Sequence, residues 1–298
     1  MKKPIITSIL PRKLFAYLGR HGFFHNMDDE TYLRTLYRNK FKKELDLENP
    51  ITFNEKLQWL KLYDRKPIYT TMVDKYEAKK YVANLIGEKY IIPTLGVWNS
   101  FVDIDFNLLP DKFVLKTTHD SGGIVICKDK HNFDQENARL KIENSLKKNF
   151  YYQCREWPYK NVIPRIIAEK YMENIGGLVD YKFYCFNGKP RFLYVSQGLD
   201  NHDTAKISFL TLDWEFAPFQ RSDYLAFDTL PQKPENLNKM IKIAEKLSGD
   251  STFLRVDLYE IEGNIYFSEL TFSPCGGFMC FHPTEWDKKL GDELRLPI

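Results

Sequence analysis

The sequence predicts an α+β fold with antiparallel sheets and a helical N-terminal extension. Three observations carry that prediction. The first 75 residues show helical spacing and no glycine fingerprint. From Tyr90 onward, short β-branched and aromatic runs alternate with Pro and Gly. A hairpin is the last strong feature of the chain. The 298 residues suffice for one large domain or two lobes, and 22 Phe, 18 Tyr and 5 Trp exclude a disordered chain. A net charge of +3, from 43 basic and 40 acidic residues, gives no nucleic-acid bias. Five cysteines without a CxxC pair argue against a disulfide framework or structural zinc and suit a reducing cytosol. No apolar run reaches the roughly 18 residues of a membrane span.

At the N-terminus, Lys2 and Lys3 precede an apolar stretch that Pro11, Arg12 and Lys13 cut short, so it is no signal peptide. Residues 5–18 have two readings. The simpler is a tail packed on its own domain; the other lays them on the inner face of a membrane beside Arg12, Lys13 and Arg20. Asp28 and Asp29 then cap a helix running towards Lys43. Thr52-Phe53-Asn54-Glu55 has the form of a capping box opening a helix through Leu57, Leu60 and Leu62. Asp74 starts the next, whose stripe is Ala78, Tyr81, Val82 and Leu85 and whose stop is Gly87. Strands are expected over 90–92, 113–115, 124–126, 166–172, 181–186, 191–196 and 207–212, with helices over 135–148 and from Leu237 to near Gly249. The closing hairpin runs over 253–259 and 265–270 about Glu262-Gly263-Asn264.

Three segments carry chemistry. In 113–125 a lysine, Lys116, ends an apolar strand, and the small, polar loop His119-Asp120-Ser121-Gly122-Gly123 follows. Loop amides can close over a phosphate while the lysine adds a point charge; an ordinary hairpin reads equally well. No Gly-Lys-Ser/Thr closes the loop, so it is not a Walker loop. In the closing hairpin, Arg255 and Asp257 share one strand face, as do Glu269 and Thr271. If the turn has three residues, paired positions sum to 526 and Asp257 lies opposite Glu269. Facing carboxylates repel in a sheet unless a hard cation such as magnesium sits between them. The third segment, Ile166 to Met172, breaks from an apolar strand into Glu169-Lys170. It reads as an amphipathic strand or as a hinge that binds a purine.

Taken in order, these residues resemble the TupA-like family of the ATP-grasp superfamily, over residues 50–278. The resemblance is carried by Phe53-Asn54-Glu55-Lys56-Leu57-Gln58-Trp59-Leu60-Lys61, Asp74-Lys75-Tyr76, residues 114–123, Asp180-Tyr181-Lys182-Phe183, Phe186-Asn187-Gly188-Lys189-Pro190 and the final hairpin. It implies an ATP-grasp fold, two α+β lobes with antiparallel sheets gripping ATP. The implied units are the helical extension (1–73), a small lobe with its glycine-rich lid (74–168) and a C-terminal lobe with the metal site (169–298). Lys75 resembles the first nucleotide-binding lysine, with Lys79 a less favoured substitute, and Lys116 the second. Ser121, Gly122 and Gly123 belong to the lid, and Glu169, Lys170 and Met172 to the adenine hinge. Asp257 and Glu269 resemble the magnesium pair, and Arg255 the arginine that faces an acyl phosphate. Thr271 stands where many relatives carry Asn. Lys182 is read as a contact for an acidic substrate or phosphate.

The implied reaction is ATP- and magnesium-dependent joining of a carboxylate to an amine, in bacterial surface-polysaccharide biosynthesis. A sugar carboxylate and an amino acid are the implied substrates, and the cytoplasm, with inner-membrane contact left open, is the implied setting. Rivals are a glycosyltransferase using Asp103-Ile104-Asp105, a sugar kinase and a degenerate ATP-binding scaffold. His119 and His202 are candidate proton carriers, although lone loop histidines are more often exposed bystanders.

Overall fold

The computed structural model describes residues 12–173, 177–198 and 204–297. Residues 1–11 of the basic N-terminal segment, and His202, lie outside these. Four helices come first: α1 (Arg12–Arg20), α2 (Asp29–Phe41), α3 (Phe53–Tyr63) and α4 (Ile68–Val73). Asp28 caps α2 by accepting from the Thr31 amide at 2.9 Å. Both halves of the capping box on α3 are present. The Glu55 amide donates to the Thr52 hydroxyl at 3.2 Å, and the Thr52 amide to the Glu55 carboxylate at 2.9 Å. Nothing in the sequence marks α4, which has no capping side chain. Helix α5 (Glu77–Ile86) starts three residues after Asp74, whose carboxylate accepts from the amides of Tyr76 (2.8 Å) and Glu77 (3.3 Å).

The expected strand over 90–92 is absent. Tyr90 ends a 3₁₀ turn, Ile91 makes a single parallel bridge to Phe267, and the strand begins only after Pro93, which has no N–H to give a ladder. That strand is β1 (Thr94–Trp98). With β2 (Phe113–Thr117), β3 (Ile124–Cys127) and β4 (Ile166–Lys170) it forms an antiparallel sheet in the order β1-β4-β2-β3. Helix α6 (Gln135–Leu146) covers one face, packing Ala138 and Ile142 on Phe113, Leu115, Ile166 and Ala168. Strand alternation turns Val114, Lys116 and Glu169 to the other face.

After the short helix α7 (Tyr151–Cys154), the chain builds a second antiparallel sheet from β5 (Val179–Phe186), β6 (Lys189–Gln197), β7 (Lys206–Thr211), β9 (Phe253–Ile261) and β10 (Asn264–Thr271). Its order is β10-β9-β5-β6-β7, and the two-residue strands β8 (Gln220–Arg221) and β11 (Phe281–His282) pair beside it. On one face, α5 and α8 (Leu237–Ser248) meet Phe183, Leu254 and Val256. On the other, Phe53 and Leu57 of α3 and Leu290 of α9 (Trp286–Glu293) meet Tyr184, Phe186 and Phe253. Both faces are buried, so every polar side chain they carry needs a partner.

The closing hairpin turns on two residues, not three: Glu262 and Gly263, both at positive φ (50° and 72°). Near the turn the pairing follows from that, with Tyr259 opposite Tyr266. A bulge at Ser268 then inserts one residue, and beyond it Asp257 faces Glu269. The expected pairing is present, produced by the bulge. Among the described residues no helix is long and apolar enough to cross a membrane.

Candidate active site

The register of the large sheet lines up one polar row. Glu269 faces Asp257, Asp257 faces Lys182, and Lys182 faces Tyr194, on neighbouring strands β10, β9, β5 and β6. Arg255 lies two residues from Asp257 on the same strand face. Its guanidinium grips both Asp257 oxygens at 2.7 Å and reaches Glu269 Oε1 at 2.5 Å. Lys182 Nζ lies 2.6 Å from Asp257 Oδ2 and 3.2 Å from Asp180 Oδ1. Burial works against the Lys182 ammonium, but Asp180 and Asp257 outweigh it and hold its pKa well above the ordinary value. Burial likewise pushes Glu269 up. Arg255, Lys182 and Lys75 overcome that and hold its carboxyl at about 2.

Across a cavity of about 1060 Å³, Glu269 and Lys182 of this row face the open side of the small sheet. Lys75, Lys116, Ser121, Glu169, Lys170 and Met172 line the cavity from the small-sheet side, and Lys182 and Glu269 from the large one. Asp180, Tyr259 and Ser268 also line it, and sequence reading did not single them out as site residues. Gly122, Gly123, Arg255, Asp257 and Thr271 are not on its wall. Glu169 sits between two lysines, 2.6 Å from Lys116 Nζ and 2.5 Å from Lys79 Nζ. Lys79 is buried and also donates to the Ile92 carbonyl at 2.7 Å, so it points behind the wall that Lys75 and Lys116 line.

The glycine-bearing loop is anchored at its base. Asp120 accepts from the Thr117 and Ser145 hydroxyls and from the Gly123 amide (3.2 Å). Lys75 Nζ donates to the Asp120 carbonyl, and burial pulls the Lys75 ammonium below its ordinary pKa. Only Ser121 and Gly122 are exposed, at the tip. His119 is no exposed bystander: it is buried, and its Nε2 lies 2.9 Å from the Lys148 carbonyl and 3.2 Å from that of Ser145. Asp105 spends its carboxylate on the amide of Asn107 (2.9 Å), and neither it nor Asp103 lines the cavity, which leaves the Asp-x-Asp motif as local turn chemistry.

Magnesium takes hard oxygen donors. Glu269 and Asp180 present carboxylates to the cavity, and the Thr271 hydroxyl donates to Glu269 at 3.2 Å. Asp257 is 0% exposed and off the cavity wall, with Arg255 on both its oxygens and Lys182 on Oδ2. Among the described residues no three His, Cys, Asp or Glu side chains converge to hold a metal. A cation at Glu269 and Asp180 therefore fits one that arrives with oxygens of its own, as magnesium does on phosphates.

A family model described as TupA-like ATP-grasp matches residues 55–295. The chain belongs to the TupA-like ATP-grasp family. Its two antiparallel sheets, facing each other across the cavity, are the ATP-grasp fold. No curated protein matches the chain. Among solved structures, D-alanine–D-alanine ligase from Helicobacter pylori is similar at 16% identity and a TM-score of 0.44, over 81% of this chain and 69% of that one. The corresponding enzyme from Bacillus anthracis is similar at 15% and 0.40, over 68% of this chain; this ATP-grasp chain spans 57% of that enzyme's length. A D-cycloserine synthetase is similar at 14% and 0.41, over 77% and 72% of the two chains.

Proposed function

We propose that this protein is an ATP- and magnesium-dependent ligase that joins a carboxylate to an amine. The observation that carries the reading is the wall of one cavity, where Lys75, Lys116 and Lys182 supply positive charge and Glu269 and Asp180 supply oxygen donors. That wall suits a polyphosphate and its cation. In this reading Lys75 and Lys116 bind phosphate oxygens beneath the loop of Ser121, Gly122 and Gly123. Glu169, Lys170 and Met172 flank the adenine. Lys182 stabilises charge on the acceptor side, and Arg255, which is off the wall, acts through the Asp257 and Glu269 carboxylates it holds. Magnesium, when bound, would offset phosphate charge, with Glu269 and Asp180 holding it and Thr271 orienting Glu269.

A carboxylate oxygen of the first substrate attacks the γ-phosphorus and ADP leaves, giving an acyl phosphate. The amine nitrogen attacks the acyl carbon, the bond from that carbon to the phosphate oxygen breaks, and the departing phosphate takes up the proton that the nitrogen loses. No side-chain nucleophile is needed. From the family resemblance we further propose a sugar carboxylate and an amino acid as substrates, in surface-polysaccharide biosynthesis in the cytoplasm.

Calorimetry tests the nucleotide half. ATP should bind only weakly without magnesium, and Lys116→Ala should weaken binding roughly tenfold to a hundredfold, as expected for a lost charge-assisted bond. Glu269→Gln should reduce the magnesium dependence. An intact, folded chain that binds no ATP sinks the proposal. ADP release with uronic acids and amines, and trapping of an acyl phosphate by hydroxylamine, separate ligase from kinase. A degenerate scaffold is the second reading, favoured by the sealed Asp257; it requires ATP binding without turnover.

A further inference from the structure

One buried carboxylate near the polar row of the large sheet makes no bond to any described residue. Glu156 precedes the 3₁₀ turn Trp157–Tyr159 and is 5% exposed, yet it caps no amide and joins no hydrogen bond or ion pair among the described residues. The other buried acids, Asp74, Asp120, Glu169, Asp180 and Asp257, are all paired or hydrogen-bonded. Burial penalises the ionised form of Glu156 and pushes its carboxyl from 4.5 up to about 7; Lys61 and Arg255 oppose the rise, and Glu269 adds to it.

The fold holds this group beside the reaction centre. Lys61 of α3 donates to the carbonyls of Cys154 (2.8 Å) and Gly276 (2.6 Å), which ties the segment of Glu156 to the turn that follows β10, the strand of Glu269. The Lys61 ammonium is thus engaged by backbone, and it also lies 4.9 Å from the Phe278 ring centre. On the 3₁₀ turn, the Tyr159 hydroxyl is within electrostatic reach of Glu156, Glu269, Arg255 and Asp257 together. Glu156 is off the wall that Lys75 and Lys116 line, so it meets the Arg255–Glu269 pair from another side.

A buried carboxylate in this state calls for a cationic donor. A divalent ion would need more oxygens than converge there, since no three acids, histidines or cysteines do so among the described residues. A primary ammonium is compact and brings three N–H donors of its own. We propose that Glu156 binds the ammonium of the amine substrate and accepts the first of the two protons its nitrogen must lose. The proposal rests on the ligase reading. One N–H bond breaks, the proton passes to the Glu156 carboxylate, and the freed lone pair attacks the acyl carbon. The second proton leaves with phosphate as above, and Glu156 returns its own to water once the amide departs. A base that titrates near neutrality suits this transfer, and Lys61, Arg255 and Glu269 are the charged groups that set it. The substrate class is a primary alkyl amine, cationic at neutral pH, such as the amino group of an amino acid.

Glu156→Gln in the full chain tests this twice. The first measurement needs no substrate. The folded pKa lies above the unfolded one, so the fold penalises the ionised carboxyl increasingly from pH 4.5 to about 7 and fully above that. The variant should therefore melt about 2–4 °C higher than the intact chain at pH 8, and gain much less at pH 5. A variant less stable at pH 8 would make Glu156 a structural counter-ion of Lys61 and overturn the proposal. The second measurement supplies ATP, magnesium and uronic acids with either hydroxylamine or an equimolar mixture of the standard amino acids. Hydroxylamine is uncharged at neutral pH and intercepts an acyl phosphate without an ammonium to bind. In the variant, amide formation should fall roughly a hundredfold or more while hydroxamate formation is retained. Equal loss of both products, or retention of both, overturns the proposal. An intact chain that forms hydroxamate but no amide overturns it alone; one that forms neither sinks the ligase reading as well.

Discussion

Glu169 joins two lysines that reach it from different elements, Lys79 from α5 and Lys116 from β2. Burial opposes its charge, but the lysines win and lower the carboxyl from 4.5 to about 2. A carboxyl with a depressed folded pKa stabilises the fold above its unfolded value and loses that contribution as pH falls. The Glu169 contribution is therefore complete above about pH 4.5 and disappears towards pH 2. Glu169→Gln should destabilise the protein at pH 7 and flatten the acid limb of a denaturation series between those limits; an unchanged limb would place the charge elsewhere. Sequence reading placed Glu169 at the nucleotide hinge but could not see the bridge, which depends on β4 pairing between β1 and β2. The glycines separate in the same way. A β-carbon at Gly123 would stand 2.0 Å from the Thr117 hydroxyl and 2.5 Å from that of Ser145, whereas one at Gly122 comes no nearer than 3.9 Å to Asp120. Gly123→Ala should lower stability by about 1–3 kcal/mol and Gly122→Ala should leave the melting temperature nearly unchanged.

At the scale of elements, α3 shows why an amphipathic stripe was too little to read. Three of its polar residues, Asn54, Gln58 and Lys61, are buried too. Asn54 accepts from the Met279 amide at 3.0 Å and donates to the Met279 carbonyl at 2.9 Å, tying α3 to the segment after β10. Gln58 donates to the Gly277 carbonyl (2.6 Å) and Lys61 to that of Gly276 (2.6 Å). Asn54→Ala leaves two buried backbone groups unpaired and should cost about 1–3 kcal/mol in chemical denaturation. Its capping box was legible because it is local; these partners were not, because they lie more than 200 residues away. The closing hairpin carries a subtler signal. Ile265 and Phe267 enter the core on alternate positions, and then Leu270 does so after a gap of three. That break in period is the bulge, and it was present in the sequence.

For the whole molecule, the order of elements was the legible part: two antiparallel sheets, a loop between β2 and β3, and a carboxylate-bearing hairpin. The depth to which the N-terminal helices are embedded was not. The Phe53 ring lies 5.0 Å from Phe253, 5.7 Å from Phe186 and 6.1 Å from Phe281, so α3 is one wall of the large core. We propose that the boundaries at residues 73 and 168 mark topology and not units that fold alone. A chain beginning at residue 74 would expose that face of the sheet and should show no cooperative thermal transition; a sharp one would make the extension dispensable.

The 3₁₀ turn that follows β10 places Cys275 four residues past Thr271, exposed and at φ 54°, with its sulfur 3.3 Å from the Arg221 guanidinium. The other four thiols are buried or half-buried. A maleimide fluorophore would react first at this position, without engineering. It would put a dye directly downstream of the strand that carries Glu269, where its emission can follow nucleotide titrations and stopped-flow mixing in real time.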